Sequence, residues 1–551
     1  MSTRTPGVQD RSQYHSYWGV YANGTTALPN QSANPLSSPG EFDKLEAGDI
    51  AYSSGTPGLF VCVSPGGASA TPAATWSALG SGGAATIRDA HQVVVGQTGG
   101  VYTDVVGVDA DYVDTGDGAQ LQLALTAAGA LIGITRLAVD VRLRPCRMTL
   151  VATFLTLTQG VNLIGVDGGS IIRGSGTLIR ITGGGANVIE QLTLEVTADG
   201  ESASLENGAI DAQTALAGLE VRRCHVNLSF TVVSPTTMVT RSAIYLSQLT
   251  GMMIVEDNLF EMANFLDVAG ALNPQGWGLT VAQDTGVANG IRSFRNNRLF
   301  GGGMCYVTCG GSSDSMVGWE IANNQHANAG ANPVGSAAYI ITMEYDAAAP
   351  GVGEGPFQGP KIVGNQITTR AGAAYSEGEP SGYIRVGDVA ADANARNIVD
   401  TVIANNILRN PLPLDKILNN AIDLTVNSLG TGQIQGVVIE GNQIQGSDGG
   451  IRMGAGPSFN AAVSVQTVAI TGNVIDIGDN SGSPVRAIVG GIGNVLDVVV
   501  SGNSMRAQTQ VQSTDAGNTN WIVIANRMAG GAPGMVTDAS GTWDVAHNIV
   551  T

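Results

Sequence analysis

Apolar and polar residues alternate in short runs along most of the chain. In VVIEGNQI (437–444), VAITGNVI (468–475) and VVVSGNSM (498–505), apolar side chains recur at every second position. That is the period of a strand with one buried face. Each run is interrupted by an Asn, after which a shorter apolar element follows.

The interruption repeats. Asn258, Asn297, Asn324, Asn365, Asn406, Asn442, Asn473, Asn503, Asn526 and Asn548 hold equivalent places, at intervals of 39, 27, 41, 41, 36, 31, 30, 23 and 22 residues. In VRRCHV, Cys224 stands where the Asn would be. A propeller needs a steadier period of ~40–50 residues, and a leucine-rich solenoid needs a Leu pattern that is absent. A solenoid of parallel strands tolerates the variation, because insertions leave between stacked strands as loops. The shortest intervals fit one coil of a β-helix. The longer ones fit one coil with an inserted loop, or two coils with one Asn missing. A residue recurring at every coil is architecture rather than one active site copied ten times. Stacked side-chain amides can bond from coil to coil as an Asn ladder, and Asn tolerates the left-handed backbone conformation that a turn between sheets needs.

Before the repeat the pattern changes. YHSYWGVYANGTTALPNQSANPLSSPG has little periodicity and reads as an extended arm. Two strand-like runs, DIAYSS and GLFVCVS, flank a turn signal at Gly55–Gly58, and a third short strand is expected around Trp76. GSGGAAT (80–86) has a linker's composition. In VDTGDGAQLQLALTAAGAL a helix is expected over Ala119–Ala128, with Leu121 and Leu125 on one face and Asp117 as its N-cap. The expected organisation is an extended arm over 1–46, a small β module over 47–83, a lead-in with a capping helix over 84–160, and coils over 161–551.

Composition narrows the function classes. The chain has 551 residues, a formal net charge of −19 and only 13% charged residues. Without a basic run, nucleic-acid binding is excluded. No uninterrupted apolar run reaches the ~18 residues of a membrane span, and MSTRTPGVQDRSQ lacks the apolar core of a signal peptide. Cys62, Cys146, Cys224, Cys305 and Cys309 form no disulfide framework. The C-x3-C pair Cys305/Cys309 has no Cys/His partners to complete a zinc site and reads as two buried thiols. No metal and no cofactor are expected. DADYVDTGDG fails the calcium-loop spacing, because Val113 sits where a ligand would be.

DTGDGAQLQLAL, VRLRPCRMTLVATFLTLTQG and VNLIGVDGGSII, together with the Asn-bearing coils, resemble the bacteriophage tailspike and pectate-lyase-like right-handed parallel β-helices. The resemblance runs over roughly Val113–Thr551. GDIAYSSGTPGLFVCV…ATWSAL resembles small β modules at the N-terminal ends of phage virion proteins. The resemblance implies a homotrimeric virion protein, made in the host cytoplasm. It would be anchored to other virion proteins through its arm, with Tyr14, Tyr17, Trp18 and Tyr21 as anchoring residues. It carries no single activity, since lyases, hydrolases and inert fibres share the fold.

Two readings stay open. In the first, a spike, fibre or head decoration presents its β-helix to host-surface glycans without cleaving them. In the second, it is a depolymerase, a glycoside hydrolase or polysaccharide lyase. Glycan cleavage needs two facing carboxylates; the candidates are Glu344 and Asp346 in IITMEYDAAAPG, and Glu377 and Glu379 in AAYSEGEPSGYIRVGD. Sugar-stacking candidates are Trp277, Trp319, Tyr339 and Tyr383, followed by Tyr245, Tyr345 and Tyr375, with Arg385 as a partner for an acidic sugar. Aromatics at 5% tilt the balance against a dedicated depolymerase. WDVAHNIVT, the last Asn unit, leaves a strand edge that a local cap or another chain is expected to cover.

Overall fold

A computed structural model describes residues 17–21, 50–53, 58–64 and 75–78 as strands without their side chains. It then describes 92–98, 104, 106, 109–132, 138–151, 154–198, 208–228, 242–262, 276–284, 291–309, 316–329, 339–345, 357–369, 382–388, 397–410, 420–426, 433–447, 449–454, 464–477, 486–491, 494–529 and 536–551. The chain divides into two compact units, 1–149 with 155–171, and 150–154 with 172–551.

The first unit opens with a four-stranded sheet. The hairpin Ile50–Ser53/Gly58–Ser64 and the strand Thr75–Ala78 are antiparallel neighbours. Tyr17–Tyr21 joins this sheet, parallel to Ile50–Ser53. A segment read as extended arm therefore contributes a fourth strand to the small module. Further on, the helix runs Ala119–Leu131, longer than expected, and buries Leu121, Ala124, Leu125, Ala128 and Leu131. Its N-cap is Gly118 in the left-handed conformation, not Asp117, whose carboxylate accepts only from Ala119 N. Asp114 does the capping. Its Oδ1 accepts from the backbone N–H groups of Gly116, Asp117 and Gly118, and its Oδ2 from Gln120 and Leu121. Asp114 lies four residues before the helical hydrogen-bond pattern starts, outside ordinary N-cap spacing, so sequence reasoning passed over it.

The second unit is a parallel β-helix, the all-β class expected from the Asn spacing. One coil shows the plan: Gln433–Glu440, the short Gln443–Gln445, then Gly449–Gly454. Each pairs in parallel with its counterpart one coil on, Ser464–Thr471, Val474–Asp476 and Arg486–Gly490. We call the faces built by the third, first and second of these strands A, B and C. The interior is stacked aliphatic columns, such as Ile384, Ile422, Ile451 and Ile488 on face A. With about 4.8 Å between strands, inward residues of successive coils stack on one another.

The ten asparagines form one column where face B turns into face C, buried from Asn258 to Asn526 and half-buried at Asn548. From Asn258 to Asn526, each side-chain amide donates to the Oδ1 of the next Asn at 2.8–3.1 Å. The other N–H goes to a face-B carbonyl of the preceding coil, for example Asn442 Nδ2 to Ile403 O. The 41-residue intervals are bridged directly, Asn324 to Asn365 and Asn365 to Asn406, so each is one coil with an insertion. At Cys224 the column stops: its backbone N–H still donates to Asn258 Oδ1 at 2.9 Å, but its thiol reaches only Ile189 O and Arg222 O.

One expectation about these asparagines is corrected. The left-handed residue of the turn is the one before each ladder position: Gln191, Arg223, Asp257, Asn296, Asn323, Gly364, Asn405, Gly441, Gly472, Gly502, Ala525 and His547 all have φ between 51° and 69°. The division of labour is physical. The first turn residue takes the strained backbone, and the second keeps ordinary angles and turns its amide inwards.

Candidate functional site

Face A carries the polar residues that the core does not need. Its strands alternate, so the residue flanked by two buried aliphatics points outwards. Register links these outward residues into one column: Thr280, Tyr306, Thr342, Arg385, Asp423 and Arg452. Glu344 stands in the next outward column, opposite Thr308 on one side and Gly387 on the other. Thr280, Thr342, Arg385 and Asp423 lie in the four longest intervals between asparagines, of 39, 41, 41 and 36 residues, and Tyr306 and Arg452 in intervals of 27 and 31.

Both described carboxylates are held by tyrosine hydroxyls. Tyr306 Oη donates to Glu344 Oε1 at 2.5 Å, one coil on. Tyr339 Oη donates to Asp423 Oδ2 at 2.7 Å, and this bond spans two coils. The long reach depends on Gly382, which lies between them: a Cβ there would come within 2.1 Å of the Tyr339 ring. The Tyr339 ring thus lies along the helix axis over a bare backbone. Trp277 repeats the arrangement. It pairs with Gly303, whose added Cβ would meet the indole at 2.5 Å. The indole also packs against Tyr306, with ring centroids 5.4 Å apart. The Arg385 guanidinium lies 5.6 Å from the Tyr339 ring centre, close enough for a cation–π contact. Burial and the Asp423 carboxylate push the Tyr339 hydroxyl well above its usual range, so it stays a donor.

The sequence candidates separate here. Trp277, Tyr339, Arg385 and Glu344 come together. Asp346, Glu377, Glu379 and Tyr375 lie outside the described residues, as do the side chain of Tyr345 and Tyr14. Tyr17, Trp18 and Tyr21 lie in the edge strand of the small module, described without their side chains. Trp319 is fully buried, and its indole N–H donates to Asp284 Oδ2 at 2.9 Å. Asp284 in turn pairs with the equally buried Arg292. Trp319 is therefore a core residue that satisfies an internal ion pair, not a sugar platform. Tyr383 is also fully buried and faces inwards. Tyr339 is 4% exposed, so its role is to hold Asp423 rather than to stack on a ligand. Tyr245 is half-buried and continues the outward column by one coil, opposite Asp211 on one side and Thr280 on the other. Asp423 and Arg452 were missed. In AIDLTV and GGIRMG the only signal was a charged residue between aliphatics, and partners 84 residues apart, such as Tyr339 and Asp423, are visible only once coils are in register.

Among the described residues no group of acidic, His or Cys side chains is placed to hold a metal ion, and no helix is long and apolar enough to cross a membrane. Cys146, Cys224 and Cys305 are buried free thiols, and burial drives each thiol upwards, that of Cys146 to about 12. The side chain of Cys309 lies outside the described residues.

No family model and no curated protein matches the chain. Among solved structures, the chain is similar to the A-module of mannuronan C-5 epimerase AlgE6 from Azotobacter vinelandii (15% identity, 79% of this chain and 97% of that one, TM-score 0.37). It is similar to the catalytic unit of a GH87 α-1,3-glucanase from Streptomyces thermodiastaticus (13%, 79% and 66%, TM-score 0.33). It is similar also to the Dettilon tailspike protein (13%, 76% and 64%, TM-score 0.27). At these TM-scores none of the likenesses bears on what this chain binds or does.

Proposed function

We propose that this chain is a bacteriophage virion protein that presents face A of its β-helix to host-surface glycans. In this reading the chain is a homotrimer, and residues 1–83 attach it to other virion proteins. The observation that carries the glycan part is the half-buried group Trp277, Tyr306, Arg385 and Arg452 on face A, backed by the buried carboxylates of Glu344 and Asp423. It combines an aromatic edge, hydrogen-bonding hydroxyls, two fixed carboxylates and guanidinium groups on a rigid sheet. Sugars are recognised by such a mixture, an apolar wall with a few placed polar groups. The phage part rests on the sequence resemblance of the coils and of the N-terminal module. A pull-down on intact host cells tests the binding: the full chain adsorbs and Arg385→Ala does not. Equal adsorption of both proteins removes face A from the reading.

A second reading, a depolymerase, is favoured by one observation. Glu344 and Asp423 are two carboxylates on one face, each oriented by a tyrosine. They stand two coils and two residues apart, about 11–12 Å between Cα atoms. The side chains' own reach brings the ~6.5–9.5 Å carboxyl separation of inverting glycosidases within range. Release of reducing ends from host polysaccharide, abolished in Glu344→Gln and in Asp423→Asn while binding persists, would establish it.

A further inference from the structure

Arginine is treated in two ways in the second unit. On face B it is paired, and on face C the arginines without a carboxylate partner among the described residues, Arg298, Arg409 and Arg527, are exposed to solvent. Arg222 lies 3.0 Å from Glu256 and 2.9 Å from Glu220, Arg295 lies 2.8 Å from Glu256, and Arg223 contacts Glu190. Arg173 contacts Glu195, and Arg292 is buried against Asp284. Register sets Glu190, Arg222, Glu256 and Arg295 opposite one another, an alternating ladder of charge.

Face A breaks this rule in one place. Arg385, Arg452 and Arg486 stand within four consecutive coils: Arg385 opposite Asp423, Asp423 opposite Arg452, and Arg486 three residues before Val489, which lies opposite Arg452. None of the three is paired with a carboxylate among the described residues. All three are half-buried, and the Nε atoms of Arg385 and Arg486 are shielded from solvent with no acceptor. The nearby carboxylates, Asp423 and Glu344, are engaged by Tyr339 and Tyr306. In a chain with 26 basic against 45 acidic residues, three sheltered guanidinium groups without carboxylate partners are an anomaly. Leaving a half-desolvated cation unpaired costs free energy that a surface pair would return. A ligand anion returns it too, and guanidinium is the side chain best shaped for a planar oxyanion.

We propose that this stretch of face A takes an anionic glycan, a chain whose carboxylate, sulfate or phosphate groups sit on Arg385, Arg452 and Arg486. The proposal rests on the glycan reading above and narrows it to charged saccharides. Arg385 and Arg452 are two coils apart, about 9–10 Å. The site therefore selects charges that recur along the ligand rather than a single terminal acid. Three guanidinium groups against the two carboxylates of Asp423 and Glu344 leave a local excess of positive charge within an acidic molecule, which favours an approaching polyanion on this face.

An array of neutral, uronate-bearing, sulfated and phosphorylated oligosaccharides, probed with the full chain, tests this. Binding is expected on anionic members only, and it should weaken as salt is raised. Arg385→Gln and Arg452→Gln are each expected to weaken it about tenfold, while Arg506→Gln on face C leaves it unchanged. The class of anion bound tells uronate from sulfate or phosphate. Arg385→Lys, which keeps charge but loses the fork, should be intermediate, and unchanged thermal unfolding shows that the variants fold. Binding to neutral saccharides that ignores both substitutions overturns the proposal and leaves the glycan reading standing. Binding to no saccharide, charged or neutral, overturns both.

Discussion

Asn442 makes two bonds to one atom of Asn473: its side-chain Nδ2 and its backbone N–H both reach the Asn473 Oδ1 at 2.9 Å. The same oxygen thus satisfies a side chain and a turn. Asn442 itself receives the equivalent pair from Asn406 and gives its remaining N–H to Ile403 O. Asn442→Ala leaves two buried donors of Asn406 without an acceptor and takes the side-chain donor from Ile403 O, while Asn473 Oδ1 keeps the backbone N–H of residue 442. Each buried orphan costs ~1–3 kcal/mol, so the variant is expected to lose roughly 3–5 kcal/mol in denaturant unfolding. A loss below about 1 kcal/mol would mean that water replaces the amide and that the column is not dry.

The turn residue before the ladder gives a matched pair of substitutions. Gly441 and Gly472 share the left-handed conformation, with φ of 62° and 64°. A Cβ at Gly441 would meet Asn405 Oδ1 at 2.4 Å, whereas one at Gly472 meets nothing within 4 Å. Gly472→Ala is therefore expected to cost only the backbone strain, about 1 kcal/mol. Gly441→Ala adds a displaced Asn405 and should lower Tm visibly further. Equal losses would show that strain alone decides.

His326 ties stability to pH. Its ring stacks in the core of face C between Leu299 and Ile367, with Nε2 2.8 Å from Gly301 O. Burial lowers its pKa from 6.5 to about 4. The unfolded chain takes up the proton as pH falls through 6.5, while the folded chain stays neutral until about 4. Stability is therefore full above the unfolded pKa and declines as pH drops between those two values. The shift corresponds to about 3 kcal/mol at 1.36 kcal/mol per unit. His326→Leu should flatten that part of the stability curve, measured by chemical unfolding at pH 7 and pH 4.5. An unchanged slope would assign the acid sensitivity to other groups.

Tyr339→Phe separates positioning from packing. The ring stays over Gly382, but Asp423 loses the 2.7 Å bond. A hydrogen bond to a charged group contributes ~1.5–3 kcal/mol, and the expected loss of stability is in that range. Glycan binding should weaken with it, because the freed carboxylate can turn towards Arg385 and compete with an anionic ligand. Unchanged binding with reduced stability would confine Tyr339 to a structural role.

The β-helix was legible because its signal is redundant. Ten asparagines and the strand period around them agree, and no single insertion hides the pattern. The backbone role of Asn was misplaced by one residue, since Asn-Asn and Gly-Asn at the turn both satisfy a rule that asks only for a residue tolerant of φ > 0. At the candidate site the sequence showed the members that lie in conspicuous local contexts, Trp277, Glu344 and Arg385. It could not show that Trp319 would satisfy Asp284 inside the core, nor that Gly382 is bare so that Tyr339 can lie across it. Both facts arise from register between coils, a property of chain pairing rather than of local composition.

The ladder also separates shape from content. Coils of 22 and of 41 residues are joined by the same amide bond, at 3.0 Å between Asn526 and Asn548 and 2.8 Å between Asn324 and Asn365. Closing a loop twice as long costs only ~0.6 kcal/mol, a small fraction of what one ladder Asn is expected to contribute. The scaffold is thus nearly indifferent to how much chain leaves it between coils. Chain inserted between coils can therefore be lengthened, shortened or exchanged by recombination while the frame stays the same, so a lineage can vary what its coils carry without having to reinvent its fold.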